Sequence, residues 1–481
     1  MKKKIFGTIF ILVVIFSFIF SKFISENKIT DLKKNLSPEI KIKIKKIFLP
    51  YKYISELDVK IKNYDFIVSV GTKQKEKLSL WAKRYPPQNS ELEFKKSNRD
   101  IMLQEKKSFS LDNNLILYKY NILDGFNYGI SNSFPGSGFL EFYNDNLFII
   151  SATGIIGYSK NFSQELRFKQ IKNNIDDFIN LNQFNKDNWF SIKDLHISND
   201  KIFVSFTDEI KENCFNTSII SGKLEYEQIK FEKFFSSKEC IDVNKGKDAD
   251  KADQEFNGHQ SAGKIISLDN DEILFSVGDY RLRELSQNLE SINGKIIKIN
   301  TGSKDNYEIL SMGHRNAQGL FYDKENNFII STEHGPQGGD EINIINIVKE
   351  KITNYGWPIA SYGEHYGGKV KRNERKYEKY PLLKSHKDNG FIEPIKYFDP
   401  SIAISAITAD VKNKTYIVAS MKDINGEFGG AIHFFDLDDK NQINNFNSVD
   451  INERVRDIIY KDGILYLFLE DTASIGIINL L

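Results

Sequence analysis

Residues 313–343 read GHRNAQGLFYDKENNFIISTEHGPQGGDEIN, in which a short apolar run, Phe328-Ile329-Ile330, stands between two clusters of glycine and polar residues. The run has the length of a β-strand, and the clusters have the composition of turns at its two ends. Such turns can point backbone carbonyls at one spot, and Asp340 and Glu341 add carboxylate oxygens of the kind that calcium prefers. The arrangement suits a hard cation and an anionic ligand, although each cluster alone is also what an ordinary connecting turn looks like.

The same pattern of a turn followed by a strand recurs six times along the chain. In each copy Asn, Asp, Gly, Glu or Lys residues precede an apolar run rich in β-branched and aromatic residues. The six runs begin at Leu147, Ile202, Ile273, Phe328, Tyr416 and Ile464. They lie about 50 to 90 residues apart, which is the range of a four-stranded blade with loop insertions. Because helix-period patterns are nearly absent, the sequence predicts an all-β fold, a six-bladed β-propeller.

Two further segments affect the boundaries of this propeller. A seventh run, Leu115-Ile116-Leu117-Tyr118, either closes the ring or belongs to the segment before it. The longest interval, from Phe328 to Tyr416, predicts an inserted loop over one face. We therefore assign residues 126–481 to the propeller and residues 25–125 to a small extra module whose function the sequence does not reveal.

The N-terminus reads as an export signal. Three lysines follow Met1, and an apolar run extends from Ile5 to Phe20. No small-x-small cleavage site follows, which favours an uncleaved signal anchor over residues 1–24. We expect the rest of the chain on the periplasmic side of the cytoplasmic (inner) membrane, or secreted if the signal is cleaved.

Charge and cysteine content narrow the possible partners. The chain has 66 basic and 65 acidic residues, so its net charge of +1 gives no electrostatic reason to expect a nucleic-acid partner. The two cysteines, Cys214 and Cys240, predict one disulfide in an exported protein, with two free thiols as the alternative. Two cysteines are too few for cysteine-built zinc or iron–sulfur sites.

On this framework the glycine-rich segments resemble those of the soluble quinoprotein sugar dehydrogenases, six-bladed propellers that bind pyrroloquinoline quinone (PQQ) and calcium. Residues 313–319 are similar to the family's GHRNPQG, with Ala317 in place of proline, and residues 333–343 are similar to its calcium segment. Residues 354–358 match its NYGWP. Shorter matches follow the family's order at 258–264, 420–422 and 454–457, so the resemblance covers approximately residues 130–481.

The resemblance implies that an aldose sugar is oxidised at its anomeric carbon to the lactone, with electrons passed to an external quinone or cytochrome. That reaction needs a base, and His259 is the candidate because imidazole titrates near neutral pH. Arg315 would stabilise a developing negative oxygen. The cofactor has three carboxylates, for which the matching residues are Arg315, Asn316, Lys422, Arg454 and Arg456. A histidine satisfied in a blade loop and solvated surface charge are the alternatives.

The resemblance also implies two calcium sites. The carbonyls of Gly335 and Pro336 would hold an ion that contacts the quinone. Asp340, Glu341 and Tyr355 would serve a second, structural calcium, with merely solvated turn carboxylates as the alternative.

Two other functions remain open. A non-catalytic calcium-binding propeller that acts as a binding module is the main alternative. It is favoured by the absence of a clear equivalent of the family's quinone-contacting glutamine ahead of the histidine segment, and by Gly258, where some members have aspartate. A hydrolytic calcium propeller such as a lactonase is a weaker alternative, since it would need a dense ring of carboxylates and asparagines that the sequence does not show.

Overall fold

The computed structural model describes residues 98–122, 126, 136–160, 166–179, 183, 191–243, 256–269, 271–303, 306–347 and 351–480. These residues belong to one compact unit, residues 81–481. The predicted anchor at 1–24 and the predicted module as far as residue 97 lie outside the described residues. Within the described part of the chain, no helix is long and apolar enough to cross a lipid bilayer.

Regular structure in the described residues is almost entirely β-strand. The first strands are β1 (Asp100–Ile101), β2 (Lys107–Ser110), β3 (Ile116–Asn121), β4 (Gly138–Tyr143), β5 (Asn146–Ser151), β6 (Ile156–Ser159) and β7 (Phe168–Asn173). The next are β8 (Ile192–Ser198), β9 (Lys201–Lys211), β10 (Cys214–Lys223), β11 (Gln228–Ile229), β12 (Glu232–Phe235), β13 (Ile241–Asp242), β14 (Ala262–Ser267), β15 (Glu272–Val277), β16 (Lys295–Asn300) and β17 (Tyr307–Met312). The last are β18 (Ala317–Asp323), β19 (Phe328–Glu333), β20 (Asp340–Asn346), β21 (Thr353–Asn354), β22 (Lys396–Phe398), β23 (Ile404–Asp410), β24 (Thr415–Lys422), β25 (Phe428–Leu437), β26 (Ile443–Asp450), β27 (Val455–Lys461), β28 (Ile464–Leu469) and β29 (Ser474–Asn479). One α-helix, α1 (Glu374–Lys379), and short 3₁₀ turns at Asp112–Asn114, Ile175–Asp177, Arg283–Gln287 and Lys387–Asn389 complete the described elements.

The described strands form six sheets, which are the blades of a propeller. Blade 1 is built on β4 to β7, blade 2 on β8 to β10 and β12, blade 3 on β14 to β17, blade 4 on β18 to β20 and β22, and blade 5 on β23 to β26. Blade 6 combines β27 to β29 with β3 and β2. The first strand of each blade contacts the first strand of the next blade, and β27 contacts β4, so the ring is closed. The predicted six-bladed all-β architecture is confirmed.

Closure of the ring depends on a strand from far upstream. β3 pairs antiparallel with β29, and Asn121 lies opposite Ser474. The run at 115–118, which the sequence left undecided, therefore contributes to the last blade. The ring thus includes residues that precede position 126, where the sequence placed the start of the propeller.

The hydrophobic core is divided into clusters that lie between neighbouring blades, one for each of the six pairs. Strand β5 shows how the sequence achieves this. Leu147 and Ile149 pack towards blade 6, whereas Phe148 and Ile150 pack towards blade 2. Because successive side chains of a strand point to opposite faces, a strand buried on both faces must be apolar throughout. This explains why the repeats read as continuous apolar runs rather than as alternating patterns.

Hydroxyl groups join consecutive blades at the inner strands. The first strand of a blade has one edge without a strand partner, and its buried carbonyls still need donors. In three successive blades a Ser or Thr on the second strand donates to a carbonyl on the first strand of the next blade. The three bonds run from Ser205 Oγ to Gly263 O (2.5 Å), from Ser276 Oγ to Ala317 O (2.9 Å) and from Thr332 Oγ1 to Ser405 O (2.5 Å).

Two buried aspartates accept hydrogen bonds from backbone amides of the neighbouring blade. Asp194 in β8 accepts from the Ile265 amide of the next blade (2.7 Å), and Asp457 in β27 accepts from the Leu140 amide of blade 1 (2.9 Å). Lys264 lies 2.9 Å from Asp194 and 3.6 Å from Asp457, so one ammonium group pairs with both carboxylates, and its single charge balances one of the two.

The long interval after β20 is an insertion, as the sequence predicted. It contains α1, whose N-terminus is capped by the Asn373 side chain accepting from the Lys376 amide. Its aromatic residues pack on one another and on the edge of blade 4, with the Tyr362 and Tyr397 rings 3.8 Å apart. Residue Tyr366 of the insertion is half exposed and lies near Arg281 and Arg315.

Cys214 and Cys240 form a disulfide, which confirms the predicted pairing. The bond joins the start of β10 to the segment just before β13 in blade 2.

The bonds between blades predict a specific loss of stability. Replacing Thr332 with Val keeps the shape of the side chain but leaves the buried Ser405 carbonyl without its donor, so the free energy of unfolding should fall by about 1–3 kcal/mol. Urea unfolding followed by intrinsic fluorescence measures this change. Thr415→Val, at an exposed hydrogen bond of 3.3 Å, is the matched control and should change the midpoint little; equal effects of the two substitutions would contradict the role given to Thr332.

Candidate functional site

A cavity of about 300 Å³ opens on one face of the propeller, where the first strands of several blades begin. Phe139 and Lys193 are the second residues of β4 and β8, and Ala262 begins β14. Asn316 immediately precedes β18, and Arg454 immediately precedes β27. The cavity is therefore assembled from blades that are distant in sequence and brought together by the ring.

The wall of this cavity is strongly basic. Five cationic side chains line it, and among the described residues no aspartate or glutamate does so. The cations are Lys193, Arg281, Arg315, Arg454 and Arg456. Since clustered arginines favour planar anionic groups, the wall is suited to a ligand that carries carboxylates.

Glu470, which does not itself line the cavity, forms ion pairs with two of these arginines. It is fully buried, and its oxygens accept from Arg454 Nε (2.8 Å) and from Arg456 Nη2 (2.7 Å). Burial alone would raise the pKa of Glu470, but the two guanidinium groups outweigh that effect, so the pKa is lowered and the carboxylate stays ionised. Arg456 also donates to Gln318 Oε1 at 3.3 Å.

Arg315 is fixed by contacts on several sides. Its Nη1 donates to the His334 carbonyl (2.8 Å) and its Nη2 to the Tyr366 hydroxyl (3.2 Å). Its guanidinium lies 5.5 Å from the centre of the Trp357 ring, and its backbone amide donates to Glu333. A side chain held in this way presents its charge to the cavity with little freedom to move.

His259 lies in the segment that leads into β14 and lines the same cavity. Its backbone amide donates to Asn257 Oδ1 (2.9 Å), while its buried Nδ1 has no hydrogen-bond partner among the described residues. Burial, and then the charges of Lys193 and Arg456, lower the pKa of His259 to about 4. The imidazole is therefore neutral at physiological pH and can accept a proton.

Three more buried polar atoms at the cavity have no partner among the described residues, Gln260 Oε1, Ser261 Oγ and His334 Nε2. Burial and then the charge of Arg315 lower the pKa of His334 well below its ordinary value. Asn316, in contrast, is engaged, because its Oδ1 accepts from the Ala262 amide (2.9 Å) and from Gln318 (3.0 Å). Buried unpartnered atoms in a cavity are what a polar ligand would satisfy.

A second, much smaller cavity of about 10 Å³ adjoins the first beneath Arg315 and His334. Glu333 and Glu341 line it, together with Gly335, Tyr355 and His386. Burial and then the neighbouring Glu333 raise the pKa of Glu341 well above its ordinary value. Two carboxylates buried side by side are a place where a cation would be stabilised.

The structure brings together most of the residues that the sequence singled out. His259, Arg315, Asn316, Arg454 and Arg456 line the large cavity, and Gly335, Glu341 and Tyr355 line the small one.

Three of those residues line neither cavity: Lys422, Pro336 and Asp340. The Asp340 oxygens accept from the Gly335 amide (2.9 Å), from the Ser401 hydroxyl (2.6 Å) and from the Ile404 amide (3.2 Å), so this carboxylate holds the turn. Lys422 ends β24 and reaches the site only through its charge, which contributes to the lowered pKa of His334.

Several cavity residues were not foreseen from the sequence. They are Lys193, Gln260, Arg281, His334 and Tyr366. The position of residues along the strands could have indicated Lys193. The motif residues of blades 3, 4 and 6 lie at or close to the start of a first strand, and in blade 2 Lys193 is at the start of the first strand.

Fold and cavity together define a class: a six-bladed propeller with a basic, histidine-containing pocket where its inner strands begin. The model of the glucose/sorbosone dehydrogenase family matches residues 192–478, and the chain belongs to this family.

Individual relatives match shorter segments. The aldose sugar dehydrogenase YliI of Escherichia coli is 27% identical over 246 residues, 45% of this chain and 59% of that protein. Quinoprotein glucose dehydrogenase B of Acinetobacter calcoaceticus is 31% identical over 139 residues, 23% of this chain and 28% of that protein. The matches thus span less than two thirds of either relative. The crystal structure of the soluble aldose sugar dehydrogenase of E. coli in its apo form has a TM-score of 0.53 at 18% identity, over 71% of this chain and 95% of that one, which is a likeness of fold.

The buried charge behind the cavity predicts a pH-dependent stability. Glu470→Gln leaves the buried guanidinium of Arg456 and the partly buried guanidinium of Arg454 without their shared carboxylate, and the free energy of unfolding at pH 7 should fall by about 3–5 kcal/mol. Because the pKa of Glu470 is lowered in the folded state, its contribution is present above its ordinary value of 4.5 and is lost as the pH falls through the folded pKa. The difference between wild type and variant should therefore shrink in acid.

Chemical unfolding at pH 7 and at stepwise lower pH measures this difference. Glu308→Gln is the control, since Glu308 pairs with Lys298 at a side chain that is 76% exposed and should contribute less than about 1 kcal/mol. A gap between wild type and Glu470→Gln that does not depend on pH would contradict the assignment.

Proposed function

We propose that this protein is a PQQ- and calcium-dependent dehydrogenase that oxidises an aldose at its anomeric carbon to the lactone and passes the electrons to an external acceptor such as a quinone or cytochrome. The observation that carries the proposal is the cavity with five basic side chains, no lining carboxylate among the described residues, and a neutral, partly buried histidine. Membership of the glucose/sorbosone dehydrogenase family and the similarity to a quinoprotein glucose dehydrogenase support it.

The cavity fits PQQ in charge and in size. PQQ has three carboxylates, and five basic side chains face the cavity, two of which share the single carboxylate of Glu470. A volume of about 300 Å³ is at the lower end of the range, roughly 300–1,000 Å³, that holds small ligands. Arg454 and Arg456 would hold carboxylates of the cofactor, while the amide oxygen of Gln260 and the ring nitrogen of His334 offer further polar contacts.

When bound, PQQ supplies the acceptor for two electrons and calcium polarises its carbonyl. The chain's own residues do the rest of the chemistry. The neutral imidazole of His259 accepts the proton of the anomeric hydroxyl as the hydride leaves the anomeric carbon. Arg315, held by the His334 carbonyl and the Tyr366 hydroxyl, places positive charge where a negative oxygen develops. Tyr366, half exposed at the cavity, offers an aromatic face to the sugar.

Calcium belongs to the proposal through the small cavity. Glu333 and Glu341 supply buried carboxylates there, and Gly335 and Tyr355 also line the cavity, so their carbonyls would be additional oxygen ligands. Within the described residues, no group of three or more His, Cys, Asp or Glu side chains is arranged to hold a metal ion. An ion in this region would therefore need carbonyl oxygens among its ligands, as calcium accepts.

We also propose that the protein works on the periplasmic side of the inner membrane, held by the signal anchor predicted at residues 1–24. The disulfide supports this location, because disulfides persist in oxidising compartments.

Cofactor binding and catalysis can be separated by two variants. In titrations of the full-length protein with PQQ and calcium, Arg456→Met should weaken PQQ binding roughly 10- to 100-fold, because it removes a charged contact. His259→Ala should bind PQQ nearly as tightly as wild type but lower kcat for dye reduction with an aldose by about 10²- to 10⁴-fold. Cofactor fluorescence measures the affinity for PQQ, and dye bleaching with a panel of aldoses measures kcat.

His196→Ala is the control for the histidine, since His196 bonds to Glu141 (2.9 Å) and Ser267 (2.8 Å) and does not line the cavity. Failure of the wild-type protein to bind PQQ would rule out the dehydrogenase and leave a calcium-bound binding module as the better account.

Calcium dependence gives an independent prediction. Adding calcium to protein treated with a chelator should raise the midpoint of thermal unfolding, because a ligand that binds only the folded state stabilises it. Glu341→Gln should lose most of this rise, since it removes a carboxylate from the small cavity. Magnesium, which demands tighter octahedral geometry, should stabilise wild type less than calcium does. An unchanged response in Glu341→Gln would place the calcium elsewhere.

A further inference from the structure

A buried lysine in the cavity wall has no individual role in the function proposed above, where it only adds to the positive charge of the cavity. Lys193 is the second residue of β8, is 9% exposed, and lines the same cavity as His259. A lysine is rarely this buried, because its charge is costly to remove from water. The next blade leaves room for its stem.

That fit involves Gly263 in β14. A methyl group on Gly263 would lie 2.4 Å from Cβ and 3.1 Å from Cγ of Lys193, so only glycine leaves room for the lysine stem. The φ of Gly263 is +115°, which side chains other than glycine rarely adopt. Its carbonyl accepts from Ser205 Oγ, which fixes the glycine relative to blade 2. Since Gly263 is only four residues beyond His259, the lysine stem packs on the segment that carries the histidine.

The charged groups that act on His259 come from several blades. Lys193 of blade 2, Arg456 of blade 6 and Arg281, after β15, are positive, and Glu470 is the negative one. Glu470 already accepts from both Arg454 and Arg456. The imidazole is therefore in a surrounding that is positive overall.

We propose that Lys193 is a positioning residue for His259, whose charge, held in the cavity wall by the fit on Gly263, opposes protonation of the imidazole and keeps the ring a proton acceptor. This inference rests on the proposed role of His259 as the base. It assigns Lys193 a function in the reaction although the side chain need not touch the sugar.

The protonation states agree with this role. After burial, Lys193 is the largest contributor to the lowered pKa of His259, which is about 4. Burial and then Arg456 lower the pKa of Lys193 itself to about 7. Below pH 7 the lysine is thus charged throughout the range in which a histidine would otherwise take up a proton, between its ordinary value of 6.5 and about 4.

The test uses the full-length protein without cofactor or sugar. The chain has seven histidines, so NMR titration of the imidazole resonances follows each one, and His259→Ala identifies the resonance of His259. Lys193→Met removes the charge and keeps most of the stem, and it should raise the pKa of His259 by about 1. Lys193→Arg keeps the charge, and in that variant His259 should retain its low pKa. Lys193→Gln serves if the methionine variant does not fold.

The other histidines and a second cation provide controls. In Lys193→Met the remaining six histidines should titrate as in wild type, and Arg281→Met should shift His259 less than Lys193→Met does, because Arg281 is the weakest of the contributing charges. An unchanged pKa of His259 in Lys193→Met, or an equal rise in Lys193→Arg, would overturn the proposal, the latter because the effect would then come from packing. The titration needs neither PQQ nor a substrate, so its outcome is independent of whether the protein proves to be a dehydrogenase.

Discussion

The unpaired inner edge of each blade is the constraint on which the rest of this structure depends. The first strand of a blade is hydrogen bonded to its own sheet on one side only, and its buried backbone groups on the other side still need partners. Side chains of neighbouring blades supply them, as when Ser205, Ser276 and Thr332 donate to carbonyls one blade further along. Asp194 and Asp457 accept from amides in the same way. These bonds fix the register between blades more tightly than apolar packing can, because hydrogen bonds are directional and packing between flat faces is not.

The candidate site is a consequence of that fixed register. Most of its residues lie near the start of first strands, where the ring brings residues of all six blades to one cavity, and Gly263 shows the link directly. The carbonyl of Gly263 accepts a hydrogen bond from the hydroxyl of Ser205, while the stem of Lys193 packs against its α-carbon. A site assembled in this way is preorganised by the scaffold, so its charges need little rearrangement when a ligand arrives.

The sequence predicted the number of blades and the core of the site because both leave local signals. Apolar runs after turn residues mark the strands, and the segments at His259, Arg315 and Arg454 are compact motifs. The predicted carboxylate ligands show the limit of this reasoning. Asp340 and Glu341 are adjacent and look alike in the sequence, yet Asp340 is saturated by backbone and hydroxyl donors while Glu341 faces a cavity. Lys193 has a signal in its place at the start of a first strand, but its fit has none, because the glycine that makes room for it is on another blade, seventy positions away.

The pairing of β3 with β29 joins positions more than three hundred residues apart, as the bond from Ser474 to Asn121 illustrates. Folds dominated by such distant pairings form slowly, since the loss of chain entropy precedes the contacts that compensate for it. In this protein the slow closure of the ring also delays formation of the candidate site. Arg456 lies in this closing sheet and Arg454 immediately precedes it, whereas Phe139 and Lys193 come from the first two blades. The binding surface therefore does not exist until the two ends of the ring have met. An anionic ligand bound in the cavity would consequently contact both ends of the ring and slow its opening. The lifetime of the folded protein would then depend on the concentration of that ligand.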